Sequence, residues 1–209
     1  MPESFYDNHS AEYFDRTVGV DLSDLRAKFL GLIPQGGTIC DAGCGSGRDA
    51  KAFKDQGYQV TAFDASLPLV KLAREFTALP VTHLSFEQMS YQEAFDGIWA
   101  CSSLLHVPSD REKDIFERFV QALKPGGIWF MCYKVGAGES SDGHRFFRYH
   151  TKETLHTLIN EFEGVTIVDT WHTEDRQPGR SLSWLNVLCR NNNYSAHQRA
   201  TSPPHRKHG

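Results

Sequence analysis

Hydrophobic and polar positions along this chain follow two spacings. Short apolar runs such as 95–101 have the character of strands, and the segments between them repeat apolar residues three and four positions apart, as on one helical face. Leu69, Leu72, Ala73 and Phe76 share such a face before Pro80 ends the segment. Because strands and helices alternate, the pattern predicts an α/β fold with a largely parallel sheet.

The predicted elements cover most of the chain up to residue 190. Strands are predicted at 38–40, 58–63, 81–85, 95–101, 128–133, 165–171 and 184–190. Helices are predicted at 22–33, 48–56, 69–76 and 110–123, with a further one beginning at Thr151. The segment 134–148 is too polar and glycine-rich for the core, so we expect a lid-like loop there, with disorder as the alternative.

Asp41, Gly43, Gly45 and Gly47 lie between the first strand and the helix that begins at Arg48. Glycine accepts positive φ angles and lets the backbone approach a ligand, and the free N–H groups of the following helix point back at that ligand. A dinucleotide fingerprint would have the spacing G-x-G-x-x-G, which this loop lacks. A carboxylate before the loop would repel a pyrophosphate, but it suits a ligand that carries an ammonium group.

This Asp-x-Gly-x-Gly-x-Gly loop resembles motif I of the class I S-adenosylmethionine (SAM) methyltransferases. The segments Phe95–Ala100 and Leu123–Gly127, with the sequences FDGIWA and LKPGG, resemble two further motifs of that family. The resemblance covers about residues 5–190. It implies a Rossmann-like seven-stranded sheet, mostly parallel with an antiparallel last strand, and helices on both faces. We therefore expect one domain over 1–190 with an N-terminal cap segment, followed by a disordered tail at 191–209.

A second acid, Asp64, ends the second strand, where Rossmann-like sites bind ribose hydroxyls. The alternative is a helix cap, and NAD enzymes also use an acid there. The resemblance further implies that Glu87 and Met89 hold the adenine, although the family's usual acid at that point is aspartate. The residues expected to bind SAM are Tyr13, Asp41, Gly43, Gly45, Gly47, Arg48, Asp64, Ala65, Glu87, Met89 and Cys101.

The acceptor side is less defined by sequence. His106 follows the fourth strand and is the candidate general base, the alternative being that it fixes its loop by hydrogen bonds. The aromatic N-terminal segment is either a lid or a helix packed at the domain edge. Arginines suit a carboxylate or another oxyanion, unless they pair with Asp142 or Asp175. The residues expected to line the acceptor pocket are Tyr6, Arg145, Arg180 and Trp184.

Composition sets limits on these functions. The 209 residues carry a net charge of −4, which argues against a broad nucleic-acid surface, and they contain no apolar run near the ~20 residues of a membrane span. Met1 to Ser4 lack signal-peptide character, so we expect a cytoplasmic protein. Five cysteines without a C-x-x-C motif predict reduced thiols and no metal site.

These observations predict a SAM-dependent methyltransferase that acts on a small molecule, as a monomer or homodimer. The chain is also similar to the tellurite-resistance branch, which implies a chalcogen oxyanion as acceptor, and a transfer-RNA methyltransferase is a further alternative. Two other classes stay open: an NAD-binding oxidoreductase, and a SAM-binding module without catalysis. The sequence leaves the acceptor atom open.

Overall fold

The computed structural model describes residues 5–143, 145–177 and 179–193. The helices are α1 (Phe5–Asn8), α2 (Ser10–Val18), α3 (Ser23–Leu30), α4 (Arg48–Asp55), α5 (Leu67–Thr77), α6 (Ser109–Ala122) and α7 (Lys152–Ile159). The strands are β1 (Thr38–Ala42), β2 (Gln59–Asp64), β3 (Thr82–His83), β4 (Phe95–Ala100), β5 (Leu123–Val135), β6 (Glu139–Ser141), β7 (Phe146–His150), β8 (Val165–Glu174) and β9 (Ser183–Asn191). Among these described residues, no helix is both long and apolar enough to cross a membrane.

The central sheet has five parallel strands in the order β3-β2-β1-β4-β5. Beyond β5 the sheet continues with β9, which pairs antiparallel with β5 and with β8. These seven strands confirm the predicted Rossmann-like α/β sheet with an antiparallel last strand. The order reverses beside β1, so the loops after β1 and β4 diverge at the carboxyl edge, where such sheets bind ligands.

The segment predicted as a loop at 134–148 contains two additional strands. β7 pairs in parallel with the end of β5, and β6 pairs antiparallel with β7. Phe147 and His150 are buried, and the carboxylate of the buried Glu112 on α6 accepts from Arg148 Nε at 3.0 Å and contacts His150 Nε2 at 2.9 Å. A loop was therefore the wrong prediction for 139–141 and 146–148, because pairing with β5 and with each other forms strands that the sequence pattern does not show.

Helices cover both faces of the sheet, as alternate residues of β4 show. Trp99 packs in a cluster with Phe29 of α3 and Phe53 of α4. Its neighbour Ile98 points to the opposite face, into a cluster that includes Phe116 of α6. A strand that is buried on both sides accounts for the continuous apolar run in its sequence.

The N-terminal helices both pack on the domain and cover its ligand edge. Phe14 of α2 meets Phe76 of α5 in an edge-to-face contact with ring centroids 5.7 Å apart. Ser66 Oγ donates to Asp7 Oδ1 at 2.7 Å, which ties α1 to the N-terminus of α5. These contacts are those of a helix packed at the domain edge, and the lid over a cofactor stays a prediction.

The C-terminal boundary differs from the prediction. Asn191 is buried at the end of β9, where its Nδ2 donates to the carbonyls of Val120 and Leu123. The predicted tail therefore begins too early, because an asparagine side chain can complete the backbone hydrogen bonds of a neighbouring helix end. The rest of that predicted tail, 194–209, lies outside the described residues.

Candidate functional site

Two cavities meet at the carboxyl ends of β1, β2 and β4 and form one cleft. The apolar lobe is lined by Phe63, Leu69, Leu84 and Phe86, together with Gly45, Asp64 and Ala65. The polar lobe is lined among others by Asp41, Cys44, Arg48, Cys101, Lys134, Arg145, Arg180 and Trp184. Tyr6, Tyr13, Gly43, Ser102 and His106 line both lobes. The structure thus gathers most of the predicted site residues around one cleft.

The loop after β1 turns sharply and lies open to this cleft. Gly43 and Gly45 have φ angles of 74° and 55°, which an L side chain rarely adopts. A Cβ atom on Gly43 would lie 2.6 Å from Ser103 Cβ, and one on Gly45 would lie 3.1 Å from the Tyr13 ring. Both positions therefore need glycine for conformation and for space.

Gly47 has a different role from the one predicted. It is the N-cap residue of α4, with a φ of 77°, and it lines neither lobe. A Cβ atom there would lie 2.7 Å from Thr77 Cγ2, so this glycine lets α4 pack closely against α5. The expectation that it contacts the ligand is not supported by its position.

Asp41 carries a buried carboxylate at the end of β1. Its side chain is almost inaccessible, and its Oδ2 atom has no hydrogen-bond partner in the described part of the chain. Burial raises the pKa of Asp41 well above its usual range, and the carboxylate of Asp49 raises it further. A buried acceptor without a donor is costly unless a ligand supplies one, so this atom fits a donor such as an ammonium group.

Asp64 holds the glycine loop from the neighbouring strand. Its Oδ2 accepts from Gly45 N at 2.8 Å and its Oδ1 accepts from Ser66 N at 2.9 Å. Burial raises the pKa of Asp64, although these two N–H groups oppose the shift. The carboxylate lines the apolar lobe, where its remaining lone pairs suit hydroxyl donors.

Of the two residues expected at the adenine, neither lines the cleft. Glu87 is exposed, and its carboxylate lies 3.6 Å from the guanidinium of Arg111. Met89 is fully buried in the core beneath α6. The 3₁₀ turn Phe86–Gln88 instead directs Phe86 into the apolar lobe. Phe86 was not among the residues predicted to hold the adenine, because that prediction sought an acid for the adenine amino group.

Arg48 donates hydrogen bonds to Asp49, a buried acid that was not among the predicted site residues. Asp49 accepts from Arg48 NH2 at 2.6 Å, from Arg26 NH1 at 2.6 Å and from Trp99 Nε1 at 3.0 Å. Burial alone would raise the pKa of Asp49, but the two guanidiniums outweigh it and lower this pKa. These hydrogen bonds fix one wall of the polar lobe. Arg48 is part of this wall because it is held by Asp49.

His106 has protein partners on both ring nitrogens. Nδ1 lies 2.8 Å from the carbonyl oxygen of Phe146, which can only accept, so Nδ1 carries the proton. Nε2 therefore accepts from the hydroxyl of Tyr6 at 2.7 Å. Burial lowers the pKa of His106 to about 4 and raises the pKa of Tyr6 to about 12, so both are neutral near pH 7. This geometry favours the alternative in which His106 fixes its surroundings, because no lone pair faces the cleft.

Cys101 lies beside a second cysteine that sequence reasoning did not assign to the site. Its Sγ is 3.7 Å from Sγ of Cys132 on β5, and both residues line the polar lobe. The hydrogen bond that the two thiols share raises the pKa of Cys101 well above its usual range, and burial adds to this increase. The hydrogen bond to Cys101 and the backbone N–H of Ser102, 3.1 Å away, lower the pKa of Cys132.

Part of this chain is similar in sequence to known methyltransferases. Residues 39–127 match the family of the Methyltransferase domain. A curated relative, the 2-methyl-6-phytyl-1,4-hydroquinone methyltransferase of Synechocystis, is 31% identical over 140 residues, 57% of this chain and 42% of that protein. Another, a SAM-dependent Diels-Alderase of Neonectria, is 34% identical over 59% of this chain and 49% of its own length. The chain thus spans about half the length of these relatives.

The fold also matches solved structures. The crystal structure of 1,6-didemethyltoxoflavin-N1-methyltransferase from Burkholderia thailandensis, with S-adenosylhomocysteine bound, superposes with a TM-score of 0.72. It is 22% identical and covers 90% of this chain and 84% of its own. The sheet order and the glycine loop held by the second-strand acid are those of a Rossmann-like α/β domain. Residues 39–127 of this chain therefore match a methyltransferase domain in sequence, within a fold like that of a solved methyltransferase.

Proposed function

We propose that this protein transfers a methyl group from SAM to a small-molecule acceptor. The observation that carries the proposal is the unpartnered Oδ2 of Asp41, buried one strand away from Asp64 at the edge of the same cleft. A cofactor with an ammonium group at one end and ribose hydroxyls at the other would satisfy both carboxylates. The methyltransferase domain match at 39–127 supports this assignment.

The lobes differ in chemistry as this cofactor requires. Leu84 and Phe86 offer an apolar surface to an adenine, with Asp64 beside it for the ribose. The polar lobe suits the amino-acid end, and its leading acid, Asp41, would repel a pyrophosphate. This charge favours SAM over NAD, even though both have an acid on the second strand.

SAM, when bound, supplies a methyl group on a positively charged sulfur that leaves as a neutral thioether. The chain's own part is to orient the acceptor and to exclude water. The rings of Tyr6 and Tyr13 cover the cleft with their centroids 5.1 Å apart, and an electron-rich ring face near a cation is favourable. We propose that His106 positions Tyr6 through their hydrogen bond instead of removing the acceptor's proton itself.

A small organic acceptor is favoured over a nucleic acid. The net charge of −4 provides little attraction for a phosphate backbone. The relative from Synechocystis is named for a hydroquinone substrate. Its name supports a small molecule as the class of acceptor here, without fixing which one.

A second candidate is a SAM-binding protein that catalyses a different reaction. The relative from Neonectria is named a SAM-dependent Diels-Alderase, so likeness at this level accompanies more than one chemistry. Such a protein would bind SAM without consuming it.

Thermal shift separates the cofactor classes, and labelled SAM separates the reactions. We expect S-adenosylhomocysteine at a hundredfold excess over its Kd to stabilise the protein by about 2.7 kcal/mol, and NAD to leave the melting temperature unchanged. Incubation with methyl-labelled SAM and a panel of phenols, thiols, amines and carboxylic acids should label at least one acceptor. Stabilisation by NAD alone would contradict the proposal. Binding of SAM without label transfer to any acceptor would favour the second candidate.

A further inference from the structure

Three basic side chains from the C-terminal half of the chain lie close together in the polar lobe. Lys134 is near the end of β5, Arg145 precedes β7, and Arg180 lies between β8 and β9. Phe147 and Trp184 line the same lobe beside them. Segments that are distant in sequence thus bring positive charge and aromatic surface to one place.

Lys134 is the least compensated of these groups. Its Nζ lies 3.5 Å from the ring centroid of Phe147, and it forms no ion pair with a carboxylate among the residues described. Burial lowers the pKa of Lys134 to about 8, and the guanidiniums of Arg180 and Arg145 add to the decrease. Asp142 and Asp175 oppose this effect without cancelling it. At this ammonium group the neighbouring cations therefore outweigh the neighbouring carboxylates.

The neighbouring carboxylates are already engaged. Asp142 Oδ2 accepts from Arg145 Nε at 3.1 Å and from Arg145 NH2 at 2.9 Å. Asp175 is almost fully buried, accepts from the backbone N–H of Gln177 at 2.8 Å and lies 3.8 Å from Arg180 NH1. Two carboxylates thus face three cations, which leaves an excess positive charge.

The polar lobe as a whole also has more basic than acidic side chains. Of the described residues that line it, six are Arg or Lys and four are Asp or Glu. An anionic ligand would reduce the repulsion among these cations.

The position of the three cations separates them from the amino-acid end of the proposed cofactor. Adjacent strands lie ~4.8 Å apart, and Phe130 of β5 is level with Asp41 two strands away. Lys134 is four residues farther along β5 at ~3.3 Å per residue, so it is roughly 16 Å from Asp41. Arg16 and Arg48, by contrast, come from the two helices beside the glycine loop. These two arginines are better placed for the carboxylate of SAM itself.

From this arrangement we infer that the methyl acceptor carries a carboxylate or another oxyanion, held by Lys134, Arg145 and Arg180. The flanking rings of Phe147 and Trp184 favour a planar organic acid. The inference rests on the proposed function, and it adds the charge of the acceptor. Lys134 and the arginines bind the anionic group, so their role is in recognition and not in the transfer step.

Calorimetry with a charged and an uncharged probe of equal shape tests the inference. The protein is saturated with S-adenosylhomocysteine and titrated with benzoate, with benzamide and with sulfate. We expect benzoate or sulfate to bind at least about tenfold more tightly than benzamide, since charge-assisted hydrogen bonds are the strong ones. Lys134→Met should weaken binding of that anion about tenfold, and Lys134→Arg should retain most of it. Lys71→Met, which removes an exposed lysine on α5, is the matched control and should change nothing.

Three results would overturn the inference. The first is that benzamide binds as tightly as both anions. The second is that Lys134→Met leaves anion binding unchanged. The third is a tenfold loss of S-adenosylhomocysteine affinity in Lys134→Met, which would assign the lysine to the cofactor. The titrations are repeated without S-adenosylhomocysteine, so that the preference for anions is measured independently of cofactor binding. Failure of the wild-type protein to bind S-adenosylhomocysteine would contradict the proposed function alone.

Discussion

The Oδ2 atom of Asp64 accepts a hydrogen bond from the backbone N–H of Gly45 at 2.8 Å, so the acid that ends β2 holds the loop that follows β1. One carboxylate therefore shapes the loop and also faces the apolar lobe. Loss of this side chain should affect the geometry of the loop as well as the direct contact with a ribose.

Asp64→Ala should weaken binding of S-adenosylhomocysteine by about 1–3 kcal/mol, on the order of ten- to a hundredfold in Kd, because a charge-assisted hydrogen bond is lost. Asp64→Asn keeps an oxygen that can accept from Gly45 and should lose less. Isothermal titration calorimetry measures both. Unchanged affinity in Asp64→Ala would exclude the proposed role.

Gly43→Ala and Gly57→Ala form a matched pair. Both glycines have positive φ, 74° and 86°, so either substitution should cost about 1–2 kcal/mol of the free energy of unfolding. Only Gly43 faces a clash at the cleft, whereas a Cβ atom on Gly57 meets nothing within 4 Å. Denaturant titration should therefore show destabilised variants in both cases, but only Gly43→Ala should lose S-adenosylhomocysteine binding. Equal loss of binding in the two would show that strain, and not position, is the cause.

Folding stability should fall at acid pH because of His106. Its pKa in the folded protein is about 4, against 6.5 for an unperturbed imidazole, so between these values the unfolded chain binds a proton that the folded protein does not. The contribution of His106 is complete above pH 6.5 and is lost as the pH falls towards 4. It amounts to roughly 3 kcal/mol. Urea denaturation across this range should show a shallower pH dependence in His106→Gln than in the wild type. Parallel curves would contradict the assignment.

Asp49→Asn should destabilise the fold by about 3–5 kcal/mol, because it leaves two buried guanidiniums without their carboxylate. Asp55→Asn is the control. Its exposed ion pair with Lys51 on the same helix should contribute less than ~1 kcal/mol. Urea titration measures both, and similar values would mean that the buried network contributes little.

The parts of the site that could be predicted are those encoded over a few adjacent residues. The spacing of Gly43 and Gly45 after an acid fixes a turn at a strand end, and Asp64 ends the next strand, so both follow from local sequence. Glu87 could not be placed this way. Which residue of a 3₁₀ turn faces a cavity depends on its tertiary partners, here Arg111 for Glu87 and the apolar lobe for Phe86.

The strands of the fold also differ in how far local sequence predicts them. Most strands of the central sheet contain apolar residues that the pattern identifies directly, whereas β3 consists of two exposed polar residues and is shorter than predicted. β6 is polar and exposed, and β7 is stabilised by a residue elsewhere in the chain, Glu112 on α6, which contacts Arg148 and His150. The cluster of Lys134 with the two arginines likewise joins segments that only the topology brings together.

A crystal structure of the protein with S-adenosylhomocysteine tests the central claim most directly. We predict the adenine against Phe86, the ribose hydroxyls on Asp64 and the amino group within hydrogen-bond distance of Asp41 Oδ2. A cleft that stays empty at saturating ligand, or a ligand bound elsewhere with Asp41 and Asp64 making only contacts within the protein, would contradict the account.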